Sequence, residues 1–220
     1  MSIVPRGVAV VVLLLAGCAA DPVPTPAPRA AVTQPAIPDD FPLLAGLPVD
    51  APVEGDRYGP VGPGRDLDPL EPTMCGRSVR VPPHADLLRG GWSNVEDYRE
   101  RQLTIFESAD PASAYLDDLL DLYRSCPSSD AVEGHRTVVV DPGLGEESGA
   151  VSVLSTYDGA PRPGLQTVLV VRVGTAVLIS TTSNEGGGGP DPYQQAAEHR
   201  VDDARALRDV VEAMAIFGDG

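Results

Sequence analysis

The residues able to do chemistry are few and scattered. The 220-residue chain has three histidines, His84, His135 and His199, and three cysteines, Cys18, Cys75 and Cys126. No histidine sits in H-E-x-x-H or another short metal-ligand spacing, so all three read as surface or loop residues. Adjacent acids occur at Asp39-Asp40, Asp117-Asp118, Glu146-Glu147 and Asp202-Asp203. Glycosidic catalysis needs two carboxyl groups facing each other across about 5 to 9 Å, and neighbours on a helix diverge. These pairs read mostly as solvated faces. Gly76-Arg77-Ser78-Val79-Arg80 breaks a nucleophile elbow at Arg80. Asp66 and Asp68 lack the glycine and terminal glutamate of a calcium loop. Gly186 to Gly189 lacks the strand, helix start and basic partner of a phosphate loop. All 16 basic residues are arginines. Without lysine there is no Walker A, Schiff-base or S-x-x-K chemistry. The expectation is a protein that is not an enzyme, with no catalytic residue, no metal and no cofactor.

Two features suit binding instead. Trp92, the single tryptophan, follows Gly90-Gly91. An aromatic on a glycine-hinged loop can anchor a ligand, or it can plug the core edge. Arg99 and Arg101, joined by Arg172, form either a cationic patch for an anionic envelope ligand or partners for the abundant acids. Trp92, Arg99 and Arg101 are the candidate ligand-binding residues. The formal net charge of −16 excludes a nucleic-acid partner, because phosphate binding needs basic surface.

The N-terminus supplies an address. Arg6 precedes an uncharged run from Gly7 to Ala16, followed by Leu15-Ala16-Gly17-Cys18. Ten residues rise about 15 Å as a helix, half of what a bilayer core requires, so the run suits a cleaved signal peptide. LAGC resembles a bacterial lipobox. That resemblance implies cleavage before Cys18, diacylglycerol on its sulfur and an acylated, palmitate-type amine. The bilayer is then a partner through Cys18, and the chain lies at the cell membrane on its extracytoplasmic face. Residues 18–40 carry prolines at 22, 24, 26, 28, 35 and 38 and read as an extended tether, in which Thr25 and Thr33 could carry sugar. Residues 41–74 read as an extended, loop-rich segment whose Phe41, Leu43, Leu44 and Leu47 could lie against a folded domain at 75–220. Outside the cytoplasm, Cys75 and Cys126 are expected to form a disulfide. Free thiols are the alternative, and zinc is disfavoured because no histidine stands at ligand spacing.

The elements behind these residues follow from periodicity. Tyr98–Glu107 reads as a strand with Arg99, Arg101, Leu103 and Ile105 on one face and Thr104 and Phe106 on the other. A helix begins at Asp110-Pro111 and places Ala112, Tyr115, Leu116, Leu119, Leu122, Tyr123 and Cys126 on one stripe. Thr137–Asp141 and Ala150–Tyr157 read as strands. Leu165–Val173 and Ala176–Ser183 read as a hairpin turning at Gly174-Thr175, central in the sheet. A final helix from about Tyr193 to Phe217 is expected to pack Ala197, Val201, Ala204, Leu207, Val211 and Met214 on that sheet. The fold class is α+β: a mainly antiparallel sheet with two flanking helices and one disulfide.

RERQLTIFESADPASAYLDDLLDLYRSCP, followed by VVRVGTAVLISTT and a closing helix ending in Phe217, resembles a group of actinobacterial lipoproteins similar to the PknH-like extracellular sensor domain. The likeness runs over residues 75 to 217. It implies that the sheet is twisted, that a cleft is present, and that the domain senses or binds something outside the cell: a small molecule, a glycan or an envelope protein. The chain departs from the kinase in having no kinase domain, and one disulfide where that sensor has more than one. The alternatives are an envelope hydrolase with an unrecognised carboxylate site and a structural partner of another envelope protein.

Overall fold

The computed structural model describes residues 36–49, 59–126, 128–129 and 131–218. The signal peptide, Cys18 and most of the tether lie outside the described residues. Residues 34–220 form one folded unit. Its strands are β1 (Gly59–Gly64), β2 (Thr73–Met74), β3 (Arg77–Ser78), β4 (Asp86–Ser93), β5 (Asp97–Ile105), β6 (Ser128–Ser129), β7 (Glu133–Val140), β8 (Glu147–Tyr157), β9 (Ala160–Val173) and β10 (Ala176–Asn184). Its helices are α1 (Ala109–Arg124), α2 (Pro192–Ala206) and α3 (Arg208–Ala213), with a closing 3₁₀ turn at Met214–Phe217. Eight strands form one antiparallel sheet in the order β1-β4-β5-β10-β9-β8-β7-β6, and β2 and β3 form a separate hairpin. The α+β class with an antiparallel sheet is therefore observed. The last helix is broken at Leu207, so three helices flank the sheet rather than two.

β9 and β10 occupy the middle of the sheet, as their runs of β-branched residues require, because both faces there are covered. Leu169, Val171 and Leu178 face one core, and Val168, Val170, Val177 and Ile179 face the other. Their turn uses Gly174 at φ 54°. α1 covers the second face through Ala112, Tyr115, Leu116, Leu119, Leu122 and Tyr123, the stripe read from periodicity. Its N-cap is Ser108, and Asp110 lies inside the first turn instead of capping it. The opposite face is covered by Leu207, Val210, Met214 and Phe217, and by Ile37, Phe41 and Leu43. The folded unit thus takes in residues ahead of 75.

Three local expectations are corrected. The Gly/Pro-rich stretch after residue 58, read as loop, supplies edge strand β1, which pairs with β4. Proline is tolerated there because an edge strand needs ladder bonds on one side only. Gly90 and Gly91 are not a hinged loop but the middle of β4. A Cβ on Gly91 would lie 2.3 Å from the Arg99 carbonyl oxygen, so these glycines admit close strand approach. Finally, the closing helix packs only in part as read: Leu207 and Met214 are buried and Ala204 and Val211 lie against the core, but Ala197 and Val201 do not. Ala196, Asp203, Leu207, Val210 and Met214 face inward, whereas Val201 is 57% exposed and Ala197 and Ala204 are half-buried.

Cys75 and Cys126 form the expected disulfide, with Cα atoms 6.3 Å apart, inside the usual range. Cys75 stands in the β2–β3 turn at φ 49°, and Cys126 is buried just past α1. The bridge fixes the end of α1 to that turn.

Two outcomes follow. Val201→Asp changes stability by no more than about 0.5 kcal/mol, and Leu207→Ala lowers it by about 2–5 kcal/mol, in urea unfolding; a loss on Val201→Asp as large as that on Leu207→Ala would put Val201 back in the core, as read from sequence. Replacing Cys75 and Cys126 by serine lowers stability by about 4 kcal/mol in the chain-entropy account, and thiol labelling of the unreduced parent finds neither cysteine.

Candidate ligand cleft

The alternation of β5 sends Arg99 and Arg101 to the same face as Leu103 and Ile105, under α2. Across the ladders, Arg101 lies between Gly90 and Ser180, and Arg99 between Trp92 and Thr182. Arg101 is 1% exposed. Its Nη1 donates to the carbonyls of Leu43 and Ala45, and its Nη2 donates to the Ala206 carbonyl at 3.5 Å. Burial pulls its pKa down to about 10 despite the nearby Asp203, which leaves it charged at neutral pH. Its guanidinium is thus enclosed by the fold and held by backbone carbonyls.

Arg99 is ion-paired to Asp97 at 2.7 Å. Trp92 is 8% exposed, and its indole N–H is buried without a hydrogen-bond partner. Trp92 and Arg99 do line a small cleft of about 250 Å³ with Val61, Leu67 and Tyr98. The remaining charges in that cleft are Asp68, Arg89 and Glu100, of which Arg89 and Glu100 form an ion pair. Arg172 lies elsewhere, paired with Glu146 and Glu147 at 2.7 and 2.9 Å. The three arginines therefore make no common patch.

Besides Asp97 at Arg99, a second acid near Arg99 and Arg101 comes from α2. Asp203 is buried to 8% exposure, and its Oδ1 accepts from the Thr182 hydroxyl at 3.3 Å. Burial pushes its pKa up, against the attraction of Arg99. Within α2 the stripe read from sequence is not the inward one: Ala196 and Asp203 are buried, while Val201 is exposed; beyond the break, Leu207 and Met214 of that stripe are buried as read. Buried Arg101 and half-buried Arg99 lie beneath the side of α2 that carries Asp203, and an unpaired buried charge costs several kcal/mol. The signal was present in the sequence, in Arg99 and Arg101 alternating with core positions.

Exposed Val201, with half-buried Ala197 and Ala204, forms one wall of a second cleft, of about 410 Å³. Ala197, Val201 and Ala204 of α2 stand opposite Val140, Pro142 and Leu144 of the β7–β8 connection, with Ala150 also lining the cleft. Val140 is itself 41% exposed. Arg200, Arg205 and Arg208 complete the lining. Arg205 is paired with Asp202 at 2.7 Å. Arg200 donates to the Ser152 hydroxyl at 2.7 Å, and burial lowers its pKa. Among the described residues, neither Arg200 nor Arg208 has a carboxylate partner. The one acid in the lining, Asp141, accepts from the Gly143 N–H and the Ser148 hydroxyl, which hold its pKa below the ordinary value. Arg200 and Arg208 were not singled out from sequence, and Val201 was read as a core position, because their role depends on the helix phase.

Of the histidines, His84 is exposed and bound to the Pro82 carbonyl. His135 departs from the loop reading: it lies on β7, with Nε2 at 3.1 Å from the Cys126 Sγ and 3.9 Å from the Cys75 Sγ. The fold thus supplies the companion imidazole that the spacing lacked, and the three ligand atoms lie within 4.8 Å of one another. As a disulfide the two sulfurs are not thiolates and offer no zinc site. Asp117 and Asp118 are exposed on α1, as expected, but Asp203 is not on a solvated face.

No family model matches the chain, and no curated protein matches it. Among solved structures it is similar to the extracellular domain of PknH from Mycobacterium tuberculosis, at 14% identity and a TM-score of 0.33. The match covers 54% of this chain and 64% of that one, short of two thirds of its length. No helix among the described residues is long and apolar enough to cross a membrane.

A carboxyl group whose folded pKa is raised stabilises the fold below its ordinary pKa of 3.8 and loses that contribution as pH rises through the folded value. Unfolding measured at pH 3, 5 and 7 is therefore expected to shift in favour of Asp203→Asn, relative to the parent, as pH rises. A shift the other way would mean that Arg99 and Arg101 outweigh the burial of Asp203.

Proposed function

We propose that this chain is an exported lipoprotein, held at the membrane by acylated Cys18, whose folded domain binds a ligand without catalysis on it. The anchor reading rests on the apolar run ending in LAGC and on the disulfide, which suits an oxidising compartment. The ligand-binding reading rests on one observation above all: exposed Val201 and its apolar neighbours on α2 wall a cleft that contains two arginines without carboxylate partners among the described residues. Ligand pockets combine such apolar walls with a few convergent polar groups.

An enzyme is disfavoured by the placement of the acids. The buried carboxylate with a raised pKa, Asp203, is enclosed beneath α2 and lines neither cleft. A hydrolase would need such a group facing a second acid across open space. Trp92 and Arg99 remain a secondary contact region in the smaller cleft.

Both halves are testable in the full-length chain. In a bacterial host fed an alkyne fatty acid, the parent is expected in the membrane fraction with label, and Cys18→Ala is expected to lose label. Recovery of uncut, unlabelled parent from the cytosol would end the anchor reading. In a thermal-shift panel of envelope glycans and lipids, a compound that stabilises the parent is expected to lose its effect on Val201→Asp. A stabilising compound indifferent to that change would move the site elsewhere.

A further inference from the structure

We infer that the α2 cleft takes a single-chain amphiphilic anion, its head group held by Arg200 and Arg208 and its chain laid along Val201 and Leu144. The inference rests on the reading of this cleft as the ligand site and names the class of ligand.

The lining decides the chemistry. Val140, Pro142, Leu144, Ala197, Val201 and Ala204 offer no hydrogen-bonding side chain. Aromatic rings, amides and hydroxyl side chains are absent from the lining. A glycan needs such groups to replace its lost water contacts, since unpaired polar groups are costly to bury. An acyl chain needs only apolar surface. The polar part of the cleft is cationic: Arg200 and Arg208 lack a carboxylate partner among the described residues, and Arg205 is already committed to Asp202. In a chain with a net charge of −16, cations left unpaired beside an apolar wall select an anion and repel a cationic head. The single acid present, Asp141, has two donors of its own from the same turn. Burial already works against the charge on Arg200, and a bound anion would offset that cost. The volume, about 410 Å³, lies in the lower part of the range for ligand pockets, about 300–1,000 Å³, which suits one chain better than two.

Calorimetry with sodium laurate below its micelle-forming concentration tests this on the exported, disulfide-bonded protein. Dodecyl maltoside and dodecyltrimethylammonium serve as the same chain with other heads, and acetate as a head without a chain. Laurate is expected to bind saturably, at least tenfold more tightly than either dodecyl control, with acetate silent. Arg208→Gln, at an exposed position, is expected to weaken laurate tenfold or more while leaving dodecyl maltoside unchanged. Arg200→Gln is expected to do the same, and Val201→Asp to abolish binding of every dodecyl compound. If laurate binds no better than the maltoside and Arg208→Gln is silent, the anion inference is overturned, while loss on Val201→Asp keeps the cleft as a ligand site. If the dodecyl compounds bind and Val201→Asp changes nothing, the cleft reading falls as well. Binding only to phosphatidylglycerol vesicles, with none to monomeric laurate, overturns the inference in favour of a membrane surface.

Discussion

A guanidinium group with almost no access to water sits at the centre of this fold. Arg101 occupies a sheet position whose neighbours along β5 are core residues, Leu103 and Ile105. Removing such a charge from water costs several kcal/mol unless hydrogen bonds and a counter-charge replace the lost hydration. Replacement comes from three directions: the carbonyls of Leu43 and Ala45, the Ala206 carbonyl at the end of α2, and the field of Asp203. One side chain therefore ties the segment ahead of β1, the central sheet and the C-terminal helices to one another. Glycine at 90 and serine at 180 flank it across the ladders; a Cβ on Gly90 would lie 2.9 Å from the Val61 carbonyl oxygen and 3.1 Å from Leu44.

The two sheet faces differ for this reason. The α1 face is an ordinary apolar layer, with the disulfide fixing the helix end. The α2 face is apolar beneath Leu207, Val210 and Met214 and polar beneath Asp203, where Thr182, Thr167 and Ser152 stay buried. Over that polar strip α2 holds Asp203 inward and Val201 outward. The electrostatic requirement of the core and the apolar wall of the cleft are thus one event seen from two sides of a helix. Cleft residues on a helix so firmly held form a preorganised surface, which lowers the ordering cost of binding.

Much of the fold was legible in the residues. β9 and β10 announce themselves as central because both alternating sets are β-branched, and α1 because its stripe is wide and its water-facing side is acidic. β1 was not legible, since Gly-Pro-Val-Gly-Pro-Gly has the composition of a loop and becomes a strand only where β4 offers a free edge. Of the site, Trp92 and Arg99 fall beside a cleft, whereas Arg101 is spent on the core. His135 meets the two cysteines only because β7 passes the end of α1, a proximity no spacing along the chain encodes.

Composition and pattern by themselves determined the absence of lysine chemistry, the acidic balance, the α+β class and the pairing of the last two cysteines, because each depends on residue type or on local periodicity. The phase of α2, the burial of Arg101 and the position of the arginine-lined cleft were decided only in three dimensions. Leu207 and Met214 follow the stripe read from sequence, whereas inside α2 Asp203 lies inward and Val201 outward, a preference local periodicity gives no reason to expect. The preference arises from charges on a strand about a hundred residues earlier, which act on the helix only after the sheet has brought them beneath it.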